Sequence, residues 1–109
     1  MNKVSLVGRV TRNVNIKSYG ECGRYVNINL AVEDYDRDRK EKITNFIDLI
    51  AWNYRADFIA QYIGKGDLIA IDGTIRVSSF SNEDGNKKYS TKVEVKECKI
   101  LSKVNRNVG

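Results

Sequence analysis

Large aromatic side chains alternate with polar ones in the middle of the sequence and again near Phe80. Phe46, Asp48 and Trp52 lie at even spacing, so in a β-strand they share one face. Arg76 and Phe80 share a face for the same reason. Flat rings stack on nucleobases, and Lys and Arg side chains contact the phosphates. This pattern is therefore typical of a surface that binds single-stranded nucleic acid.

The same rings could instead pack in a core or an interface, and the strand pattern alone does not distinguish packing from base stacking. Aromatic side chains are enriched in strands because they fill cores and subunit interfaces. Asp48 would repel a phosphate unless Arg76 or a lysine pairs with it; alternatively it contacts a base edge or lies outside the path of the phosphates. The basic candidates for phosphate contacts are Lys3, Arg9, Arg12, Arg24, Arg55, Arg76, Lys87, Lys88 and Lys92.

Catalytic and metal-binding chemistry finds little support in the sequence. The chain contains no histidine, which removes a frequent general base and a common metal ligand. Gly64-Lys65-Gly66 follows a predicted helix instead of preceding one, so it is not a phosphate-binding loop. Cys22 and Cys98 match no metal-ligand spacing and are expected to be reduced, with Cys98 buried. We therefore expect a protein that is not an enzyme, with no catalytic residue, metal or cofactor.

Size and charge place the chain among small basic domains. It has 109 residues, a mass of 12.4 kDa and a net charge of +5, with 41% hydrophobic and 30% charged residues. This composition predicts one globular domain, and the basic balance favours a polyanionic partner. We expect a domain over residues 1–103 and a short flexible extension over residues 104–109. With no signal or transit pattern and no apolar run that could span a bilayer, we expect a cytoplasmic protein.

Alternation with a period of two dominates the chain and predicts strands. Val26, Ile28 and Leu30 form one apolar face, and Leu49 and Ala51 form part of another. Strands are predicted over Lys3–Val10, Tyr25–Val32, Thr44–Trp52, Asp67–Ser81 and Lys88–Leu101, with a bend or bulge at Gly73.

One segment, Asn53–Ile63, has helical spacing instead, with Asn53 as the N-cap and Gly64 ending the helix. Asn82–Lys87 contains an Asp-Gly pair that indicates a hairpin turn. Asp34–Lys42 mixes both charges without periodicity and is predicted to be a mobile loop. Three strands, a short helix and two strands is the element order of an OB-fold. We therefore predict an all-β, five-stranded OB-fold barrel with one short helix between strands 3 and 4.

Five separated segments together carry a specific pattern. They are MNKVSLVGRVTRN (Met1–Asn13), INLAV (Ile28–Val32), NFIDLIAW (Asn45–Trp52), YIGKGDLIAIDGTIR (Tyr62–Arg76) and YSTKVEV (Tyr89–Val95). In this order they closely resemble the bacterial-type single-stranded DNA-binding protein family, and the resemblance runs from the first residue to about Leu101. It implies an OB-fold that assembles as a homotetramer and wraps single-stranded DNA without reading its sequence.

The resemblance also implies roles for individual positions. The main stacking rings of the family fall on Tyr35, Phe46, Trp52 and Phe80, and its basic positions on Lys3 and Arg76. The first strand resembles the segment through which subunits pair edge to edge, so that a tetramer is built from dimers. Together with the basic candidates given above, we expect phosphate contacts from Lys3, Arg9, Arg12, Arg55, Arg76, Lys87 and Lys88. From the resemblance of the first strand, we expect subunit pairing through Val4, Leu6 and Val10.

Three departures from the family pattern affect these expectations. Ser78 and Ser79 stand where well-known members carry further basic residues, and Asp48 stands at a position that is often basic or neutral. Both imply binding that is weaker or more sensitive to salt. The sequence stops at Gly109 without the acidic tip that recruits replication and repair proteins, as in a truncated or tailless variant, so we expect no recruitment through a tail.

The leading hypothesis is sequence-independent binding and protection of single-stranded DNA during replication, recombination or repair. An alternative from another class is an OB-fold adaptor that docks proteins in a replication-restart complex and binds nucleic acid weakly. Asp48 and the serines before Phe80 are its best support. RNA binding is a third hypothesis, because OB-folds accept RNA and nothing in the sequence indicates recognition of a 2′-hydroxyl.

Overall fold

A computed structural model describes residues 1–104 of the chain and contains six strands and one short helix. The five long strands and the helix that the pattern predicts are all present, the second and third long strands extend beyond their predicted ends, and a three-residue strand is added. The predicted extension over residues 104–109 lies outside the described residues, apart from Val104. The elements are β1 (Val4–Val10), β2 (Lys17–Tyr19), β3 (Gly23–Asp36), β4 (Glu41–Trp52), α1 (Tyr54–Tyr62), β5 (Leu68–Ser81) and β6 (Lys87–Ser102).

The strands form one sheet that closes on itself. Their order is β1-β5-β6-β4-β3-β2, and an additional pairing of β1 with β3 completes the ring. The pairing of β4 with β6 is parallel, and the other pairings within residues 1–104 are antiparallel. The predicted OB-fold barrel is confirmed. The helix α1 lies between β4 and β5, which are the third and fourth of the long strands.

The core fills the inside of this ring with the apolar faces that alternation predicts. Leu30, Leu49 and Ile69 are completely buried, and each such side chain contributes roughly 1.5–3 kcal/mol relative to an exposed position. Gly8 allows β1 to lie close to β3, because a Cβ at this position would be 2.4 Å from the carbonyl oxygen of Ala31.

The predicted bulge at Gly73 is confirmed. The register between β5 and β6 shifts between Asp72 and Gly73, and a Cβ on Gly73 would lie 2.2 Å from the carbonyl oxygen of Glu94. A bulge bends a strand and redirects the residues beyond it. After this bulge, every residue of β5 from Ile75 to Ser81 is exposed. Both faces of β5 are therefore in contact with solvent at this end of the β5–β6 hairpin.

The edge of β1 is only partly covered. β1 pairs with β5 from Val4 to Arg9, and the Asn2 side chain extends this pairing. Its Nδ2 donates to the Ile75 carbonyl oxygen at 2.9 Å, and the Ile75 N–H donates to Asn2 Oδ1 at 2.8 Å. On the other edge, only Arg9 and Val10 pair with β3. Within residues 1–104, the backbone edge of residues 4–8 that faces away from β5 has no strand partner.

The β3–β4 hairpin shows that the prediction of a mobile loop over Asp34–Lys42 was wrong. β3 and β4 stay paired up to Asp36 and Glu41, which leaves a turn over residues 37–40. The Asp36 carboxylate accepts two backbone N–H groups of this turn, at 3.0 and 3.2 Å. The extended strands escaped prediction because most side chains here are exposed on both faces, so no apolar alternation marks them.

The turn predicted over Asn82–Lys87 is confirmed between β5 and β6. Asn82 Oδ1 accepts the backbone N–H groups of Asp84 and Asn86, at 3.1 and 3.0 Å. Gly85 has a φ of 78°, a conformation that glycine adopts without strain.

The helix α1 occurs as predicted, but neither of its ends uses the predicted capping chemistry. Asn53 occupies the N-cap position without capping the helix, and its side-chain oxygen accepts the backbone N–H of Arg24 at 3.2 Å. Gly64 is not left-handed; its N–H donates to Asp67 Oδ2 at 3.0 Å. The buried Asp67 carboxylate therefore binds an N–H just past the helix, while the Ile63 N–H donates to the Ile59 carbonyl oxygen at 2.9 Å and ends the helix.

No helical stretch within residues 1–104 is long and apolar enough to cross a lipid bilayer.

Candidate nucleic-acid interface

One outer face of the sheet carries all four predicted stacking rings, and we call it the aromatic face. Residues that lie directly opposite each other on neighbouring strands share a face. On β3 and β4, Phe46 lies opposite Ala31 and Trp52 opposite Tyr25. Because side chains alternate along a strand, Tyr35 lies on the same side as Ala31. These three rings therefore share the aromatic face.

Phe80 reaches the aromatic face through β6. Ile50 of β4, which alternates with Trp52, lies opposite Glu94 of β6. Alternation from Glu94 leads to Lys88, and Lys88 lies opposite Phe80. Arg76 precedes Phe80 by an even number of residues and lies on this face too. The two sequence patterns that each suggested stacking are thus brought onto one continuous surface.

Three of the rings are free to stack. The exposed fraction is 61% for Tyr35, 69% for Phe46 and 55% for Phe80. None of the three packs against another aromatic ring within residues 1–104. An exposed ring on a strand offers a flat surface to a nucleobase, and none of these three side chains is buried in the core of this chain.

Trp52 differs from the other three because it belongs to a ring cluster. Its ring centroid lies 5.0 Å from that of Tyr19, in an edge-on arrangement, and 5.5 Å from that of Tyr25. Trp52 is half-buried, so it combines packing with partial exposure. No pattern in the sequence indicated that Tyr19, in the short strand β2, belongs to the site. Tyr25 lies on the side of β3 opposite the apolar residues, and this alternation could have identified it as a site residue.

Hydrogen bonds of Arg24 hold the segment that directly follows Trp52 against β3. The Asn53 N–H donates to the Arg24 carbonyl oxygen at 2.8 Å. The Arg24 guanidinium donates to both carboxylate oxygens of Asp57 in α1, at 2.7 and 2.8 Å. This bond lowers the pKa of Asp57 and raises that of Arg24. Arg24 therefore positions the ring cluster and is not a free phosphate contact.

Glu94 binds two cations on the aromatic face. Glu94 Oε1 accepts from Arg76 Nε at 3.0 Å, and Oε2 accepts from Lys96 Nζ at 2.5 Å. The hydrogen bond from Lys96 is the largest cause that lowers the pKa of Glu94; Arg76 acts in the same direction, and burial opposes both. The suggested pairing of Asp48 with Arg76 is not seen, because Arg76 pairs with Glu94.

The seven predicted phosphate contacts do not form one cluster. Arg76 and Lys88 lie on the aromatic face, and Lys87, the neighbour of Lys88 in β6, points to the opposite side. Lys3 is exposed just before β1, and Arg9 Nη1 donates to the Gly66 carbonyl oxygen at 3.1 Å.

Arg55 lies away from the aromatic face, on α1. Its Nε donates to the Lys96 carbonyl oxygen at 2.5 Å, and its guanidinium lies 4.5 Å from the centre of the Tyr54 ring. It lines a groove of about 840 Å³ that also includes Phe58 and Cys98. Burial raises the pKa of the half-buried Cys98 thiol to about 11. Cys98 and Cys22 are both free.

Arg12 lies at a second, smaller cavity of about 350 Å³, which we call the amide cleft. The Asn29 Nδ2 donates to Asp48 Oδ1 at 3.0 Å, so the partner of Asp48 is an amide. Sequence reasoning missed this cleft, because it forms only when the segment after β1 folds against β3 and β4. The cleft is lined by Arg12, Asn13, Asn15, Lys17, Asn27, Ile28, Asn29, Asp48 and Lys92.

The residues predicted to pair subunits lie on β1 with their side chains turned inward. Val10 is 2% exposed, and Val4 and Leu6 are half-buried against the same core. The feature of β1 that stays open within residues 1–104 is the backbone edge of residues 4–8.

Comparison with known proteins identifies what this chain is similar to. Residues 1–101 match the model of the single-strand binding protein family. The chain is 35% identical to single-stranded DNA-binding protein 1 of Clostridium acetobutylicum over 103 residues, which cover 93% of this chain and 94% of that protein. It is 36% identical to the single-stranded DNA-binding protein of Clostridium perfringens over 106 residues, which cover 96% of this chain and 69% of that protein.

Proposed function

The chain belongs to the single-strand binding protein family, and on that basis we propose that it binds single-stranded DNA with little regard to base order. It protects exposed strands during replication, recombination or repair. The observation that carries this proposal is the aromatic face, where three exposed rings and the half-buried Trp52 share one surface with Arg76 and Lys88.

The arrangement explains how binding works without sequence recognition. Every base has a flat face, so a ring accepts any of them, with a contribution of about 1–3 kcal/mol per stacked base. Cationic side chains between the rings neutralise phosphates and release counterions, so affinity falls as salt rises. The rings lie on both long hairpins, Tyr35 and Phe46 on one and Phe80 on the other, so a strand contacts both hairpins in succession.

The alternative of a protein-docking adaptor finds no support. The relatives are named as single-stranded DNA-binding proteins, and Asp48, which had favoured the adaptor, lies in a cleft with three cationic side chains. We place the protein in the cytoplasm, where bacterial DNA is copied.

We also propose a homotetramer built from dimers. The support is the open backbone edge of residues 4–8 in β1, since an uncovered strand edge pairs readily with a second strand. Backbone hydrogen bonds would join the subunits there, while the inward Val4, Leu6 and Val10 hold the strand in place. Sedimentation equilibrium should give a mass four times that of the 12.4 kDa chain; a mass equal to one chain would contradict the assembly.

A titration tests the DNA-binding proposal directly. Trp52 is the only tryptophan, so its fluorescence reports on the aromatic face while the anisotropy of a labelled oligonucleotide reports on binding anywhere. We expect oligo-dT to quench Trp52 and to bind more weakly at high salt, with a matched duplex binding far less. Absence of any anisotropy change with oligo-dT would contradict the proposal, and stronger binding of oligo-U would favour RNA.

A further inference from the structure

A carboxylate among groups that attract phosphate needs an explanation of its own. Asp48 is exposed and lies in the amide cleft with Arg12, Lys17 and Lys92. We propose that the amide cleft holds one nucleobase and that Asp48 selects a base with hydrogen-bond donors on its pairing edge, guanine above the others. This inference rests on the proposed function and adds a base preference at one position of the bound strand.

A chain of hydrogen bonds links Asp48 to Asn29 and Thr11. Thr11 Oγ1 donates to Asn29 Oδ1 at 2.7 Å, and Asn29 Nδ2 donates to Asp48 Oδ1 at 3.0 Å. With its oxygen engaged by Thr11, the Asn29 amide must turn its nitrogen toward Asp48. Among residues 1–104, the Oδ2 of Asp48 has no hydrogen-bond partner. The cleft therefore presents a carboxylate oxygen that no group of the described residues uses.

Donors lie beside this acceptor on the same face of the sheet. Lys92 Nζ donates to Asn27 Oδ1 at 3.1 Å. Because that bond occupies the oxygen of Asn27, its NH₂ group is turned toward other acceptors. Asn27 precedes Asn29 by two residues in β3 and so lies on the side of Asp48. The cleft thus combines a carboxylate with amide and ammonium donors.

Guanine matches this combination best. Its pairing edge carries two adjacent donors, N1–H and the 2-amino group, beside the O6 acceptor. A carboxylate accepts from both donors while an amide or ammonium group donates to O6. Cytosine and adenine each present one amino donor, which a carboxylate can accept. Thymine has one N–H between two carbonyl oxygens, and a carboxylate repels those oxygens.

The size and charge of the amide cleft agree with a base and its phosphate. Its volume of about 350 Å³ lies in the range of small-ligand sites, roughly 300–1,000 Å³. Arg12 and Lys17 provide positive charge for the flanking phosphates. Trp52 lies four residues after Asp48 on the same face of β4, so stacking can continue beside the cleft.

A competition experiment with oligonucleotides of fixed length tests the inference. A labelled dT oligomer is displaced by unlabelled dT oligomers that carry one central dG, dC or deoxyinosine, or no substitution. We expect the dG oligomer to compete roughly fivefold better than the all-dT oligomer, as one good base-edge contact should provide. Deoxyinosine lacks the 2-amino group, so it should lose part of that advantage.

Two variants identify the residue responsible. Asp48→Asn keeps one oxygen that can accept the hydrogen bond from Asn29, but it replaces the second carboxylate oxygen with an NH₂ donor. Guanine then loses an acceptor for its two donors, so this variant should abolish the preference for dG. Glu97→Gln makes the same change of charge in the groove beside α1, away from the amide cleft, and it should keep the preference. Thermal unfolding curves establish that both variants are folded.

The outcomes separate this inference from the function on which it rests. Equal competition by the dG and all-dT oligomers, or a preference for dG that survives in Asp48→Asn, would overturn the base preference and leave DNA binding intact. Failure of every oligomer to bind would overturn the proposed function and this inference with it.

Discussion

Arg76 donates from Nε to Glu94 Oε1 over 3.0 Å, on the same face of the sheet as the exposed rings. The second oxygen of Glu94 accepts from Lys96. Two cations of the proposed binding surface are therefore partly neutralised before any DNA arrives, and a phosphate must compete with Glu94 for Arg76. Glu94 thus lowers the affinity of the face while it keeps two long side chains ordered.

Removing the Glu94 charge should strengthen DNA binding. We expect Glu94→Gln to raise the affinity for oligo-dT severalfold at low salt, with a smaller difference at high salt because counterions screen the released charges. Anisotropy titrations at two salt concentrations measure this. Glu97→Gln is the matched control, since Glu97 lines the groove beside α1; an equal gain in both variants would indicate a general effect of net charge.

Stability should decrease in acid, and Glu94 should account for part of the loss. Its pKa in the folded state lies below the usual 4.5, chiefly because of the hydrogen bond from Lys96. The unfolded state therefore takes up the proton first as pH falls. The stabilisation is complete above the unfolded-state pKa and is lost as pH falls through the lower folded-state pKa. Urea unfolding at a series of pH values below about 5 should show a shallower decline for Glu94→Gln.

Trp52 should contribute to both binding and stability. Trp52→Ala removes a stacking surface and the contacts with Tyr19 and Tyr25. We expect affinity for oligo-dT to fall roughly tenfold or more, and the free energy of unfolding to fall by about 1–3 kcal/mol. Trp52→Phe keeps a ring and should retain most of both. Unchanged affinity in Trp52→Ala, measured by anisotropy, would restrict Trp52 to packing.

The exposed rings should affect binding alone. Phe46→Ala and Phe80→Ala should each weaken oligo-dT binding roughly fivefold or more, while the free energy of unfolding changes by less than about 0.5 kcal/mol. Tyr89→Ala is the matched control, because Tyr89 is 69% exposed on the same hairpin but points to the opposite side from Lys88. If Tyr89→Ala weakened binding as much, the assignment of the aromatic face would be wrong.

The two cysteines should react at very different rates. Cys22 is exposed, whereas the Cys98 thiol is half-buried with a pKa of about 11. Since the thiolate is the reactive form, we expect iodoacetamide near neutral pH to modify Cys22 first and Cys98 only after unfolding. Peptide mass spectrometry distinguishes the two sites. Early modification of Cys98 in the folded protein would show that the groove opens.

Alternation of residue types predicted most of the fold because one face of each strand is buried wherever the barrel closes. Leu30, Leu49 and Ala51 illustrate this, since each lies on a predicted apolar face and is completely buried. The ends of the hairpins carry no such signal, and the tip of the β3–β4 hairpin was mistaken for a loop. Both faces of this tip are exposed, so charged residues occur at consecutive positions and no apolar alternation indicates a strand.

The sequence predicted those site residues whose position follows from the spacing within one strand. Phe46 and Trp52 on one strand and Phe80 on another were found from local spacing. Tyr19 contacts Trp52 through a three-residue strand that has no pattern of its own. The partner of Asp48 is Asn29, on a neighbouring strand. Such contacts arise from register between strands, which spacing along the chain does not reveal.

The hydrogen bonds between Asn2 and Ile75 join residues that are 73 positions apart. On the ribosome, the first strand emerges long before β5, its partner over most of its length. At a synthesis rate of about 5–20 residues per second, that interval lasts roughly 4–15 s. During it, β1 lacks its main partner strand, and only Arg9 and Val10 have a partner, in β3. Closure of the barrel is therefore a late event during synthesis, because β1 must wait for β5 before most of its backbone hydrogen bonds can form.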